Sequence, residues 1–126
     1  MTQNPPSIDA FLATVEPFCR LSADRLALLG QKGTLQRYQI GEDLAVWGVL
    51  PSQVVVIYEG QARELAINFQ TQTLTTVKRL ERGAVVGAVA LVQGKGCEAA
   101  IASTEMTGFV LPAQDFLDWV EQDTEL

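Results

Sequence analysis

Between Thr34 and Pro112 the chain is cut into short runs by glycines, at Gly41, Gly48, Gly60, Gly83, Gly87, Gly94, Gly96 and Gly108. The runs between them are β-branched or alternate apolar with polar residues. Glycine supplies the positive φ that tight reversals need, so runs this short and this closely spaced specify several strands folded into a sandwich or barrel. Val54 to Tyr58 is continuously apolar, which suits a strand covered on both faces. Leu65, Ile67 and Phe69 alternate with Glu64, Ala66 and Asn68, and Gln70-Thr71-Gln72 turns the chain into Thr73 to Leu80. That pattern reads as a hairpin with one wet face. A last strand, Met106 to Leu111, ends at Pro112.

Helical periodicity flanks this region. Ile8, Phe11, Leu12 and Val15 form an i, i+3, i+4, i+7 stripe, with Ser7 placed to cap it and Pro17 to stop it. A second helix starts after Ser22, passes through Leu26 and Leu29, and fades at Gly30 and Gly33. Phe116, Trp119 and Val120 share one face of a third, whose pattern runs on towards Leu126 with no stop signal. The expectation is a mainly β single domain over residues 1–126: a helical lead-in at 7–32, a β-barrel at 33–112 and the start of a closing helix at 113–126. The missing stop signal predicts that a longer protein continues beyond it.

Composition narrows the function. With 126 residues, 48% of them hydrophobic, the chain can bury one core and is unlike a disordered chain. Its formal charge of −6, with nine scattered Lys and Arg, argues against a nucleic-acid surface, which depends on clustered cations. There is no histidine, so the commonest general base and the commonest metal ligand are both missing, and an enzyme, including a metal-dependent one on a similar barrel, is not expected. Cys19 and Cys97 have neither disulfide-framework nor metal-ligand spacing and read as small buried or half-buried thiols. No apolar run is long enough to span a bilayer and the first residues lack a secretory pattern, so these residues are expected in the cytosol with no direct membrane insertion.

Four stretches, in order, resemble the cyclic nucleotide-binding domain family. Val15-Glu16-Pro17-Phe18 with Leu21-Ser22 is similar to that family's first helical turn, and Tyr38-Gln39-Ile40-Gly41-Glu42-Asp43-Leu44 to its turn between the first two strands. Ile57-Tyr58-Glu59-Gly60-Gln61-Ala62-Arg63 resembles its glycine hairpin. Val85-Val86-Gly87-Ala88-Val89-Ala90-Leu91, followed by Cys97-Glu98-Ala99-Ala100-Ile101-Ala102, resembles its phosphate-binding cassette. The resemblance implies a double-stranded β-helix jelly-roll of eight strands, with a small helix before the seventh and helices packed at one end. It places a ligand pocket between the cassette and the barrel wall, lined by Gly87, Ala88, Val89, Ala90, Lys95, Cys97, Glu98 and Ala99.

The cassette departs from the family where the family holds its ligand. The glutamate that takes the ribose hydroxyl is Ala88 here, and the arginine that takes the cyclic phosphate is Glu98. Exchanging a cation for an anion turns attraction into repulsion, each about 4 kcal/mol for unit charges 4 Å apart at an effective dielectric near 20. Half of that total would weaken binding about a thousandfold. Cyclic AMP and cyclic GMP are therefore disfavoured, and no cofactor is expected. Lys95 is the one nearby cation, in a glycine turn where lysine is ordinarily solvated. Glu98 reads as an exposed strand-edge residue, with pairing to Lys95, to a partner's arginine or to a cationic ligand left open. The bare N–H groups of the short helix opened by Gly87 could receive an anion.

Two functions follow. One is a non-catalytic regulatory or protein-interaction module of a larger protein. The Cys97-Glu98 strand start, Ala102-Ser103-Thr104-Glu105 and Leu111-Pro112-Ala113 are similar to the N-terminal cyclic nucleotide-binding-like domains of bacterial secretion-type ABC exporters. That resemblance implies a place on the cytosolic face of a membrane, with the remainder of its own chain as partner; a homo-oligomer is open. The other is a small-molecule sensor that still binds a cyclic nucleotide or another anion at the Gly87 cassette and acts on a downstream effector or transcription domain.

Overall fold

The computed structural model describes residues 8–16 and 18–122, with the side chains of Asp9 and Gln122 left aside. Eight strands form two four-stranded antiparallel sheets, and helices cover one end. The first sheet has the order β1 (Thr34–Tyr38), β8 (Met106–Pro112), β3 (Gln53–Glu59), β6 (Val85–Val86), and the second β2 (Asp43–Ala45), β7 (Ala99–Ala102), β4 (Ala62–Asn68), β5 (Thr73–Leu80). The small helix α3 (Ala88–Gln93) lies between β6 and β7. The mainly β jelly-roll architecture expected from the sequence is the one observed.

The lead-in is α1 (Ile8–Leu12), a short 3-10 turn at Phe18–Arg20, and α2 (Ala23–Lys32). Ser22 caps α2 as its position suggested: its Oγ accepts a hydrogen bond from the Arg25 N–H at 3.3 Å. Gly30 does not weaken this helix to the point of ending it; it is buried within α2, which continues to Lys32. Ser7 and Pro17, the expected cap and stop of the first helix, lie outside the described residues.

Strand periodicity sorts the apolar residues into two cores. Val54 to Ile57 are all fully buried, as the unbroken run implied. Because successive side chains alternate, Val54 and Val56 join a cluster under the helices while Val55 and Ile57 join one inside the barrel. In β8, Phe109 and Leu111 face the helices, and Met106 and Val110 face the barrel. The helical cluster holds Phe11, Leu12, Phe18, Leu26, Leu29, Leu91, Phe116 and Trp119. Trp119 lies 5.1 Å from Phe18 and 5.7 Å from Phe116, centroid to centroid. The stripe of α4 (Ala113–Gln122) is thus spent on packing. On the flank of this cluster, Phe11 meets Tyr58 edge-on, and the Arg82 guanidinium sits 4.6 Å and 4.8 Å from the two ring centroids. The barrel cluster is built from smaller residues, among them Ala45, Ala62, Ala100 and Ala102.

Two hairpin expectations need correction. Gly60, at φ 90°, does reverse the chain, but β3 and β4 belong to different sheets, so Glu59–Ala62 is a crossover. Its backbone bonds go to the next corner instead: Gln61 N–H to Thr104 Oγ1 at 3.0 Å, and Ser103 N–H to the Gln61 carbonyl at 3.0 Å. β4 and β5 do form a hairpin, but it is not wet on one face only. Every residue of β5 except Leu80 is exposed, because the strand is the outer edge of its sheet and extends beyond the packed region. Phe69 belongs to the turn, where it is 79% exposed, and not to the alternating strand. The Asn68 side chain accepts from the Gln70 and Thr71 N–H groups and sets that turn.

Candidate functional site

The cassette predicted from sequence is one continuous structural unit: β6, Gly87, α3, the Gly94–Gly96 turn, Cys97, Glu98 and β7. Gly87 has φ 100°, and a Cβ added there would sit 2.9 Å from the Gln53 carbonyl oxygen. Both the conformation and the close approach exclude a side chain, and together they set the first turn of α3 against the start of β3. Gly96 is packed as closely on the β2–β3 loop. Its carbonyl accepts the Gly48 N–H at 2.8 Å, and a Cβ on it would meet the Gly48 carbonyl carbon at 2.5 Å. The two ends of α3 are therefore fastened to the same stretch, Gly48 to Gln53.

Within this frame Glu98 takes a position that sequence reasoning did not choose. It is half-buried, and its Oε2 accepts a hydrogen bond from the backbone N–H of Ala90 at 3.0 Å. Ala90 is the third residue of α3, so this N–H is one of those that a helix start leaves without an internal partner. Gly87, as N-cap, offers no side chain for it. The anion received at this helix start is the chain's own carboxylate, supplied from across the turn. Glu98 is accordingly neither an exposed edge residue nor the partner of Lys95. Lys95 is exposed and makes no ion pair among the described residues.

The other expected site residues divide. Gly87, Ala90 and Ala99 are buried, and Ala88 is half-buried against the helical cluster. Val89 turns outward and is 53% exposed, and Cys97 directs its Sγ to Gln93 Oε1 at 3.7 Å. Two residues were missed. The register of β7, β4 and β5 sets Ala100 beside Glu64 and Glu64 beside Lys78 on one face of the sheet, with Glu64 half-buried and Lys78 exposed at the outer edge. At the cassette itself the charged group held in place is the Glu98 carboxylate. Such a group accepts hydrogen bonds from hydroxyl and N–H donors and opposes a phosphate.

Outside the cassette lies an apolar surface that also went unread. Val46, Trp47, Val49 and Leu50 in the β2–β3 loop are 39–56% exposed, and Val89 and Val92 on α3 are 53% and 61% exposed. The loop borders a hollow of about 290 Å³ between Asp43–Val46 and Val49–Gln53. The unbroken run Val46-Trp47-Gly48-Val49-Leu50-Pro51, apolar without alternation, was its sequence signature. No helix of the described residues is long and apolar enough to cross a membrane.

No protein-family model matches this sequence, and no curated protein does. Solved structures match it closely in shape. A cyclic nucleotide-binding-like protein from Brucella abortus superposes with a TM-score of 0.74 at 20% identity, over 91% of this chain and 98% of that one. The regulatory domain of Toxoplasma gondii protein kinase A, crystallised with cAMP, gives 0.80 at 18% identity, over 94% of this chain and 48% of that one. The regulatory subunit of a cAMP-independent protein kinase A from Trypanosoma cruzi, bound to guanosine, gives 0.81 at 18%, over 89% and 40%. The chain spans nearly the whole of the first and less than half of the other two. The fold is that of the cyclic nucleotide-binding domains.

Proposed function

We propose that this domain is a non-catalytic regulatory or protein-interaction module in which the ordinary response to cyclic nucleotides has been lost. One observation carries the reading: the Glu98 carboxylate is hydrogen-bonded to the Ala90 N–H, at the start of the cassette helix. A cyclic phosphate approaching that N–H would meet a fixed negative charge and no arginine, and Ala88 offers nothing to a ribose hydroxyl. The exposed apolar surface of the β2–β3 loop and α3 supports the interaction half of the proposal, since patches of this kind mark contact surfaces. The larger protein is proposed to be a secretion-type ABC exporter, with this domain on the cytosolic face of the membrane and the rest of its own chain as partner.

Thermal denaturation with cyclic AMP or cyclic GMP tests the first half. No shift in Tm at millimolar nucleotide is the expected result; an intact site at a hundred times its Kd would add about 2.7 kcal/mol and raise Tm by several degrees. The double variant Ala88→Glu, Glu98→Arg restores both missing contacts and is expected to gain that shift. A wild-type chain that is already stabilised by either nucleotide overturns the proposal.

A second reading rests on the same carboxylate. Glu98 repels a phosphate but suits the hydroxyl and N–H donors of an uncharged nucleoside. The Trypanosoma cruzi subunit, of the same fold, was bound to guanosine. Stabilisation by guanosine or adenosine, with none by their cyclic phosphates, would favour a nucleoside sensor over a silent module.

A further inference from the structure

We infer that the β5 edge is a self-association surface, through which two copies of this chain pair strand against strand. Each sheet ends in two edge strands: β1 and β6 in one, β2 and β5 in the other. They differ in what they offer a neighbour. β6 has two residues and β2 three, too few to carry a ladder, and β2 begins with Asp43. β1 has five and includes Arg37. β5 has eight, of which seven are exposed, and its outer main-chain groups meet no other strand of the described residues. An unpaired edge of this length is a template for another strand.

The composition of this edge selects a second copy as the occupant. From Phe69 to Val77 the sequence is Phe-Gln-Thr-Gln-Thr-Leu-Thr-Thr-Val, with no charged residue. The whole chain carries −6, so two copies repel wherever their acidic surfaces face each other. Along β5 they do not. In any antiparallel register that keeps Thr73–Val77 against itself every facing pair is neutral, and the basic residues that follow, Lys78 and Arg79, fall outside that overlap. Threonine and valine suit a pleated edge, and Leu74 and Val77, 48% and 55% exposed, supply apolar area that pairing would cover. Phe69, 79% exposed at the adjoining turn, extends that area.

A register shift between Glu64 and Leu65 leaves Val77 without a partner on β4. This bulge bends the strand, and it confines the ladder to the segment before Lys78. An overlap of about five residues buries less than the roughly 1,200–2,000 Å² of a stable interface, so the pair is weak and forms with rising concentration.

Sedimentation velocity of the 126-residue chain from about 10 µM to 1 mM tests this, on the concentration scale that weak complexes require. The expected result is a mass that rises from 13.7 kDa towards twice that value. The variant Leu74→Lys, Val77→Lys sets like charges across the axis and is expected to remain monomeric, while Val49→Lys, Val92→Lys still dimerises. Amide exchange on the unmodified chain gives a second readout: Thr73–Val77 are expected to become protected as concentration rises. A monomer throughout the range overturns the inference. So does a dimer that the β5 variant leaves intact, or one whose concentration-dependent protection falls elsewhere.

Discussion

The two cores are built from different materials. Under the helices, Phe11, Phe18, Phe109, Phe116 and Trp119 fill the space between α1, α2, α4 and one face of β3 and β8. Inside the barrel, the other faces of those same strands meet walls lined by Ala45, Ala62, Ala100 and Ala102. Large rings let a few residues join short helices that could not hold themselves together, since helices of five to ten residues are unstable alone. Small side chains let two twisted sheets approach each other. The difference teaches that one end of the molecule is sensitive to loss of volume and the other to its gain, and the cassette joins them. Leu91 of α3 belongs to the ring cluster, while Val86 before it and Ala100 after it belong to the barrel.

The largest effect is expected from Phe109→Ala. The ring is 1% exposed, and its removal is expected to cost about 3–5 kcal/mol by urea denaturation. A loss under 1 kcal/mol would mean that the helical end repacks freely, and the contrast between the cores would go with it. Ala102→Leu reverses the test. Overfilling the wall at a residue 1% exposed is expected to destabilise by about 1–3 kcal/mol, and a stabilised variant would reveal empty space inside the barrel.

A smaller change sharpens the point at which the two regions meet. Glu98→Ala removes the acceptor from the Ala90 N–H and is expected to cost about 0.5–2 kcal/mol, the range of helix-start capping and charge–dipole effects. Glu98→Gln keeps an acceptor and is expected to lose less. Equal losses would show that charge, and not the hydrogen bond, holds α3.

The smallest effect is confined to alkaline solution. Tyr38, in the barrel core, has its phenol pushed above the usual value near 10, first by burial and then by the Glu42 charge, while its hydrogen bond from Gln53 works the other way. Below that value the phenol is neutral whether the chain is folded or not, and nothing is lost. Above it the unfolded chain ionises first, so stability falls as pH rises towards the higher folded value. Tyr38→Phe is expected to flatten the decline of Tm above pH 10 relative to the parent chain. An unchanged slope would assign the decline to other groups.

The architecture was legible because its signals are local. Ser22 announces the start of α2, Gly41 the turn before β2, and the Val54–Tyr58 run a strand with two covered faces; each needs only its neighbours to be read. The unread parts depend on contacts between segments. Glu98 and Ala90 are eight positions apart and meet only because Gly94 and Gly96 fold the chain back. No periodicity records that. The same holds for Gly60: a glycine reversal is visible in sequence, but whether the next strand joins the same sheet or the opposite one is decided by pairing partners tens of residues away. The spacing of Phe69 continues that of Leu65 and Ile67 and so predicts strand, whereas the Asn68 side chain already begins the turn.

The bond between Glu98 and Ala90 also sets the terms of any competition at that spot. A tethered carboxylate is present at an effective concentration in the millimolar range or above, whatever the cell contains. A free anion at micromolar levels would have to displace a rival that never diffuses away. On the function proposed above, that carboxylate is an antagonist supplied in advance, and the substitution Glu98→Ala is what would withdraw it.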